Sequence, residues 1–510
     1  MWLEIIIIIL LIIFLIYKRL TSKFDYFEKL GIPYVKPKIL LGSYPGSMSK
    51  KLSLREEFLR KNLEFKNHKV YGVFAFGSGD PIFVINDLEI LKKITIKDFD
   101  YFKNHFNFVE PEDDPLFRKS LFAMSDEKWH DMRMTLSPAF TRSKMRLMFQ
   151  LILDICERAV KYLENSIKND PNCKDGVNFE MKDFFTLFTN DAIASVAFGL
   201  DVNSLEDNNN EFYRMGKNCM TFSTWDVIKF VMYGASKKIF RLLGLKVFKK
   251  EFRDYFYRLV VDAMKYRKEN NIVRQDMINM LMEAQSNPEK PHNREWTNEE
   301  LVAQCFIFLF AGLESVATTL CFATQELIEH PDIQEKLHQE VDSVNEELDG
   351  KPLTYEALQK MKYMEMFISE VLRKWPPFTQ SDRIVTKPYK IEVDGIELNL
   401  KVDDIIWIPI VGLHMNEENF PDPYKFDPER FDDENKPKIK QMSYGPFGFG
   451  PRACIGSRLA LLECKAILFH ILTNFELVMS EKTQMPIELE PVSFPVSIKG
   501  GFWLKMMPRK

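Results

Sequence analysis

The chain has 510 residues, long enough for two or three average domains or one large one, and 46% of them are hydrophobic against 28% charged. A net charge of −4 gives a nucleic-acid partner no bulk electrostatic support. Seven cysteines (Cys156, Cys173, Cys219, Cys305, Cys321, Cys454 and Cys464) form no C-x-x-C pair and no disulfide framework, which suits a reducing compartment, and the absence of H-E-x-x-H leaves a zinc site without support.

Residues 5–16 are an unbroken run of aliphatic residues and Phe, followed by Lys18, Arg19 and Lys23. About 17 residues in a helix reach roughly 26 Å, close to the roughly 27 Å of a thin bilayer. A cleaved signal peptide wants positive charge before the apolar run and small residues after it. This chain has the opposite order, so residues 1–20 read as an uncleaved anchor with the bulk of the chain in the cytosol. Pro33, Pro37 and Pro45 lie in a neck over 21–46, which they would stiffen. Residues 47–510 are expected to form the main body.

Residues 70–76 and 81–85 flank Gly77-Ser78-Gly79-Asp80 and predict a hairpin. From 126 to 330 the periodicity is mainly helical. Trp129-x-x-x-Arg133 places an indole N–H and a guanidinium on one helix face. Residues 239–248 are short, amphipathic and flanked by lysines, either an interfacial segment or an ordinary core-facing helix. The longest helical run, 297–329, opens with the capping box Thr297-x-x-Glu300 and stops at His330-Pro331. Its apolar middle should be buried, yet it contains Ala311-Gly312-Leu313-Glu314-Ser315, a carboxylate and a hydroxyl that are costly there unless used or paired. Gly312 is read as letting a ligand approach the backbone.

Glu370-x-x-Arg373 puts two charges on one helix face. Glu57-x-x-Arg60 and Glu211-x-x-Arg214 match the same spacing and read as solvated faces; the Glu370 copy differs because Trp375-Pro376-Pro377 ends its helix and Pro428-Glu429-Arg430-Phe431 follows. From 375 to 451 the pattern changes to strand and meander, with ten of the 26 prolines in that stretch. The expected architecture is one large, mainly helical fold with a minor β portion.

The meander ends at Phe447-Gly448-Phe449-Gly450-Pro451-Arg452-Ala453-Cys454-Ile455-Gly456, directly before an apolar helical segment. A helix N-terminus beside a cysteine favours its thiolate. Gly450 and Gly456 permit a tight turn and close approach of a large ligand. Phe447 is placed to cover the sulfur and Arg452 to pair with a carboxylate, the pattern expected where a thiolate sits under a flat, anionic, iron-bearing ring. A structural cysteine and a dinucleotide fingerprint are the other readings; the latter needs a hydrophobic strand before it, and residues 441–446 make a poor one.

This loop resembles the haem-binding signature of the cytochrome P450 superfamily, and further motifs match in the family's order between residues 129 and 456. The resemblance implies a haem-thiolate monooxygenase carrying heme b, with Cys454 as the axial thiolate to iron. It implies Glu314 and Ser315 as the proton-delivering pair, Ser315 standing where the family usually has Thr. It implies Trp129, Arg133, Ala311, Arg383, Phe447, Arg452 and Gly456 as cofactor-contacting residues, with His105 a possible addition. Glu370, Arg373 and Arg430 would form a structural charge triad. Electrons would come from an NADPH–cytochrome reductase, with a cytochrome b-type donor as a second source, docking on Lys436, Lys438, Lys440, Arg458 and Lys465. The wording around Trp375-Pro376-Pro377 and 458–463 looks most like insect microsomal members of the endoplasmic reticulum that oxidise lipophilic xenobiotics. The substrate pocket is expected from 106–121, 221–248, 308–315 and the segment after Pro377. A haem-thiolate isomerase or dehydratase and a non-turnover haem sensor are the other classes the loop admits.

Overall fold

The computed structural model describes all residues except 1, 108, 111–112, 170–175, 221–223, 247, 275, 287–293, 492, 494 and 510. Helices introduced here in chain order are α1 (Trp2–Thr21), α2 (Leu54–Glu64), α3 (Asp126–Leu136), α4 (Arg142–Lys168), α5 (Met181–Ile193), α6 (Thr224–Ala235), α7 (Lys237–Leu242), α8 (Asn298–Glu329), α9 (Lys362–Lys374), α10 (Ile410–His414) and α11 (Ser457–Asn474). The strands are β1 (Val70–Phe74), β2 (Pro81–Ile85), β3 (Val177–Glu180), β4 (Ser381–Ile384), β5 (Tyr389–Val393), β6 (Ile396–Leu400), β7 (Ile405–Ile408), β8 (Phe475–Val478) and β9 (Trp503–Pro508). Cys173 falls outside the described residues.

The chain is mainly helical, and α8 is its axis. The capping box forms as its residues dictate: Thr297 Oγ1 accepts from the Glu300 N–H, and Glu300 Oε2 accepts from the Thr297 N–H at 2.9 Å. Leu301, Val302, Cys305, Phe306, Leu309, Leu313, Val316 and Leu320 are all buried. Among the described residues α8 is long and apolar enough to cross a membrane, but it is packed inside the protein against α5, α11 and α9, which explains its composition. At the N-terminus α1 exposes Ile6, Ile7, Leu10, Leu11 and Phe14.

The predicted hairpin is β1–β2, antiparallel with Val70 opposite Ile85, and its turn uses Gly77 and Gly79 at φ 78° and 66°. β2 pairs in parallel with β7 (Ile82 opposite Ile405), and β7 pairs antiparallel with β4, giving the order β1-β2-β7-β4. β4 is thereby fixed with Arg383 opposite Ile406, and Arg383 is fully buried. β3-β9-β8 form a second sheet and β5–β6 a separate hairpin.

Two expectations about charged faces and one about a helix are corrected. Glu57 is buried, not solvated: its carboxylate accepts from the N–H groups of Gly46 and Ser47 at 2.8 and 2.7 Å. Lys465 is also buried and pairs with Glu365 of α9 at 3.2 Å, because its position on α11 turns inward; it is therefore no part of an exposed positive face. Of residues 239–248 only the first four are helical, within α7, and the chain turns at Leu243–Gly244; Val247 lies outside the described residues. Phe240 is buried there, while Ile239, Leu242 and Leu243 are exposed, Leu242 by 85%. Glu211 and Arg214 are exposed, as expected.

Candidate active site

Cys454 lies three residues before α11, at the end of a loop folded by its own backbone. The Gly448 N–H donates to the Gly445 carbonyl, Ala453 N–H to Gly450 and Cys454 N–H to Phe447, at 3.0, 2.9 and 2.9 Å. Gly450 has φ 70°, and a Cβ there would lie 1.9 Å from the Thr95 carbonyl oxygen, so only glycine fits. Phe447 is partly buried against the core, and its carbonyl holds the Cys454 amide. Gly456 caps α11 with room around it: a Cβ would meet only Cys454 Sγ, at 3.9 Å. Cys454 is accessible yet recessed. Desolvation pushes its thiol up; the Gly456 N–H, the Arg133 guanidinium and the Ser457 N–H push it down.

Arg133 acts on the cysteine, and Arg452 lies within electrostatic reach of both Arg133 and Arg383. Burial pushes Arg452 down to about 8, with Arg383 adding repulsion, Asp382 and Asp126 pulling the other way, and Arg133 a smaller repulsion. Arg383 is pushed down to about 10, again by burial first. Arg452 stacks over the Trp129 ring at 4.0 Å and donates to the carbonyls of Lys103 (2.7 Å) and Met124 (2.8 Å), so much of its donor capacity braces the 103–124 segment. Arg383 donates to the carbonyls of Phe449 and Asp382, at 2.9 and 2.6 Å. His105 is buried, stacked on Phe122, with Nδ1 3.1 Å from Asp382.

On α8, Ser315 Oγ donates to the Ala311 carbonyl at 2.6 Å, the backward bond open to a helical hydroxyl, and Ala311 is exposed. Glu314 turns to α5, where Lys182 Nζ sits 2.6 Å from its carboxylate and also bonds Thr318 Oγ1. At Gly312 a Cβ would lie 2.6 Å from Ile193 Cδ1, so this glycine lets α5 pack onto α8. Thr189 of α5 reinforces that contact by donating to the Leu313 carbonyl at 3.0 Å.

The three residues of the expected charge triad come together. Arg373 binds Glu370 through two bonds of 2.7 and 2.8 Å, with both side chains fully buried, and Arg430 Nε lies 3.5 Å from the same carboxylate. Arg430 also donates to the carbonyls of Pro421 and Asp422 at 2.6 and 2.7 Å, which ties the meander to α9.

With this geometry in place, comparison with known proteins is direct. Residues 51–504 match the family model described as Cytochrome P450. The chain belongs to the cytochrome P450 family. It is 44% identical over 97% of both chains to a protein named probable cytochrome P450 9f2 of Drosophila melanogaster. It is 38% identical to cytochrome P450 9e2 of Blattella germanica, covering 96% of this chain and 95% of that one, and 33% identical to probable cytochrome P450 6a14 of Drosophila melanogaster, covering 95% of each.

As a cytochrome P450 the protein is a monooxygenase whose cofactor is haem, with iron bound by a cysteine thiolate. The residues here fit that group. Arg383 Nε is buried with no hydrogen-bond partner among the described residues, and Arg452 is buried with the charges of Arg383 and Arg133 acting on it, so an anion is welcome there. A ring bearing two carboxylates meets that demand.

Several residues important to this P450 site carried no sequence signal. Lys182 lies 132 residues before Glu314, and no local pattern joins them. Glu326 accepts from the Trp375 indole at 2.5 Å and pairs with Lys374 at 2.8 Å, locking α8 to the end of α9. Asp382 holds His105 and the Phe106 N–H (2.5 Å); its place next to Arg383 is the one clue the sequence offers. Asp113 receives both Tyr233 and Arg241, and Lys237 pairs with Glu110 at 2.5 Å, so α6 and α7 are clasped to Glu110 and Asp113.

Proposed function

We propose that this P450 inserts one oxygen atom of O2 into lipophilic small molecules, xenobiotics such as plant compounds or insecticides, with electrons from NADPH through a reductase. The observation that supports this reading best is Cys454, recessed just before α11 with Arg133 acting on it and Arg452 in turn within reach of Arg133 and Arg383. Haem bound there supplies an oxygen-binding iron whose thiolate donates electron density and favours O–O cleavage. In this reading the Gly456 and Ser457 N–H groups and Arg133 hold the Cys454 sulfur as thiolate. Trp129, Arg133, Arg383 and Arg452 would hold the ring carboxylates; Arg383 Nε is buried with no hydrogen-bond partner among the described residues. Ala311 leaves space on α8. Ser315 spends its proton on the Ala311 carbonyl and so presents lone pairs to a water. Glu314 takes protons on the Lys182 side and passes them toward Ser315.

Residues 1–20 are proposed as the endoplasmic reticulum anchor, 21–46 as the neck and 47–510 as the cytosolic catalytic body. The exposed aliphatic face of α1 supports the anchor. Ile239, Leu242 and Leu243, exposed together on and after α7, support a second, shallow contact with the bilayer surface. The reductase, and a cytochrome b-type donor, would dock over Lys436, Lys438, Lys440 and Arg458, all exposed. The insect names of the relatives support the xenobiotic class.

The test is the absorption spectrum of the reduced, CO-bound protein beside Cys454→Ser. A thiolate-type band lost in the variant is expected; a band at the histidine-haem position, or an unchanged variant, would sink the reading. NADPH and O2 consumption with added reductase separates a monooxygenase from an isomerase or a silent sensor.

A further inference from the structure

His414 ends α10, 40 residues before Cys454, and belongs to none of the motifs above. It is fully buried. Its Nδ1 lies 3.0 Å from the Arg373 carbonyl, and the Gly445 N–H points at its Nε2, also at 3.0 Å. Arg373 returns the contact: its Nη1 donates to the His414 carbonyl at 3.0 Å. The ring stacks on Tyr444, whose hydroxyl donates to the Ser369 carbonyl.

The partners dictate the tautomer. A carbonyl facing Nδ1 requires N–H there, and an amide N–H facing Nε2 requires a bare nitrogen, so the imidazole is neutral. Burial and the charges of Arg373 and Arg55 oppose protonation in the same sense. Gly445 is the root of the cysteine loop. Its carbonyl accepts from Gly448, and a Cβ on it would lie 2.1 Å from the Phe449 ring. The Phe449 carbonyl in turn receives Arg383. Glu370, Arg373, His414, Gly445 and the loop ending at Cys454 are thus joined by consecutive hydrogen bonds.

We propose that His414 is a positioning residue for the thiolate: through the Gly445 N–H it hangs the cysteine loop on the buried Glu370–Arg373 pair. The proposal rests on the reading of Cys454 as the iron ligand and acts on the loop, touching neither substrate nor cofactor. It separates His414 from an ordinary core aromatic, because its effect must depend on the acceptor at the Nε2 position.

Two variants of the full-length holoenzyme test that dependence. His414→Gln places an amide oxygen near the Nε2 position and keeps an acceptor for Gly445; His414→Asn keeps the donor to Arg373 but leaves the Gly445 N–H unpaired. An unpaired buried N–H shifts a local opening equilibrium about tenfold or more. Hydrogen exchange of the 445–454 amides should therefore rise about tenfold in the Asn variant and stay within about twofold of wild type in the Gln variant. The reduced CO spectrum should show thiolate ligation kept with Gln and partly lost with Asn. Equal behaviour of the two variants in both measurements would overturn the proposal and return His414 to simple packing. If neither variant folds, 15N-histidine NMR of the wild type decides: a neutral Nδ1–H tautomer between pH 5 and 8 supports the bridge, and the opposite tautomer or a titrating ring refutes it. A wild-type CO band of the histidine type would instead defeat the ligand assignment of Cys454, a separate failure.

Discussion

Glu370 and Arg373 close their ion pair with both side chains fully buried, whereas Arg241, which grips Asp113 across the 110–114 segment, is 44% exposed. The first pair belongs to the sulfur side of the site, where α9, the meander and the cysteine loop share buried hydrogen bonds. The second belongs to the contact of α6 and α7 with Glu110 and Asp113, where Asp113 is buried but Arg241, Lys237 and Glu110 partly face water. The contrast separates two demands. A thiolate must be held in one place, so its support is dry and intolerant of loss. A clasp whose basic side chains face water is instead able to part at smaller cost.

The sharpest way to break this comparison is to remove one charge from each side. Glu370→Ala leaves the buried Arg373 and the half-buried Arg430 without their carboxylate, and such losses cost about 3–5 kcal/mol. The urea midpoint of the whole protein should fall accordingly, and haem should be retained poorly; a variant as stable as wild type would show that the buried pair supports nothing. Asp113→Asn weakens hydrogen bonds to charged partners, each worth about 1.5–3 kcal/mol. Here the loss should be local: faster hydrogen exchange in 109–121 and 233–241 with little change in the global midpoint. A global loss as large as that of Glu370→Ala would erase the distinction.

The sulfur side also hides an acid. Glu463 on α11 is buried with Oε2 unpartnered, and burial pushes its carboxyl up to about 8. The folded protein therefore keeps this proton at neutral pH, while the unfolded chain releases it above its ordinary value of about 4.5. A raised folded value means stability that is complete below the unfolded value and declines as pH rises toward 8. The slope from this one group is at most about 1.4 kcal/mol per pH unit. Glu463→Gln should flatten the decline in denaturation free energy between pH 5 and 8. An unchanged slope would mean that Glu463 is ionised in the folded state.

The same contrast governs what could be read from the residues alone. Local signals translated directly: Thr297-x-x-Glu300 became a real capping box, the Gly77–Gly79 turn a real hairpin, and the cysteine loop a turn only glycines can make. Misreadings arose where meaning depends on a distant segment. Glu57-x-x-Arg60 and Glu370-x-x-Arg373 look alike, and both acids are buried, but one caps the backbone at Gly46 and the other meets Arg430. Gly312 sits in a stretch where a ligand would be expected, yet its missing Cβ serves Ile193 on another helix. Lys182, Glu326 and His414 act across more than 30 residues of sequence, and such pairs leave no spacing to detect. The clasp at Asp113 was invisible for the same reason.

The smallest effect on stability, and a useful one, concerns the positive face. Lys436, Lys438 and Lys440 are exposed, so changing all three to Glu should move the denaturation midpoint by no more than about 0.5 kcal/mol each. Their charge should matter elsewhere. If the reductase docks over them, the variant should lose electron transfer rate at low ionic strength, and the loss should shrink as salt screens both proteins. Lys465→Glu is the informative counterpart. That lysine is 3% exposed and paired to Glu365, so its reversal puts two carboxylates together beneath the surface and should destabilise the fold without a salt-dependent docking defect. Equal salt-dependent losses from Lys465 and from the three surface lysines would mean that the inward turn of Lys465 is wrong; no loss from the three would move the docking face away from the cysteine loop.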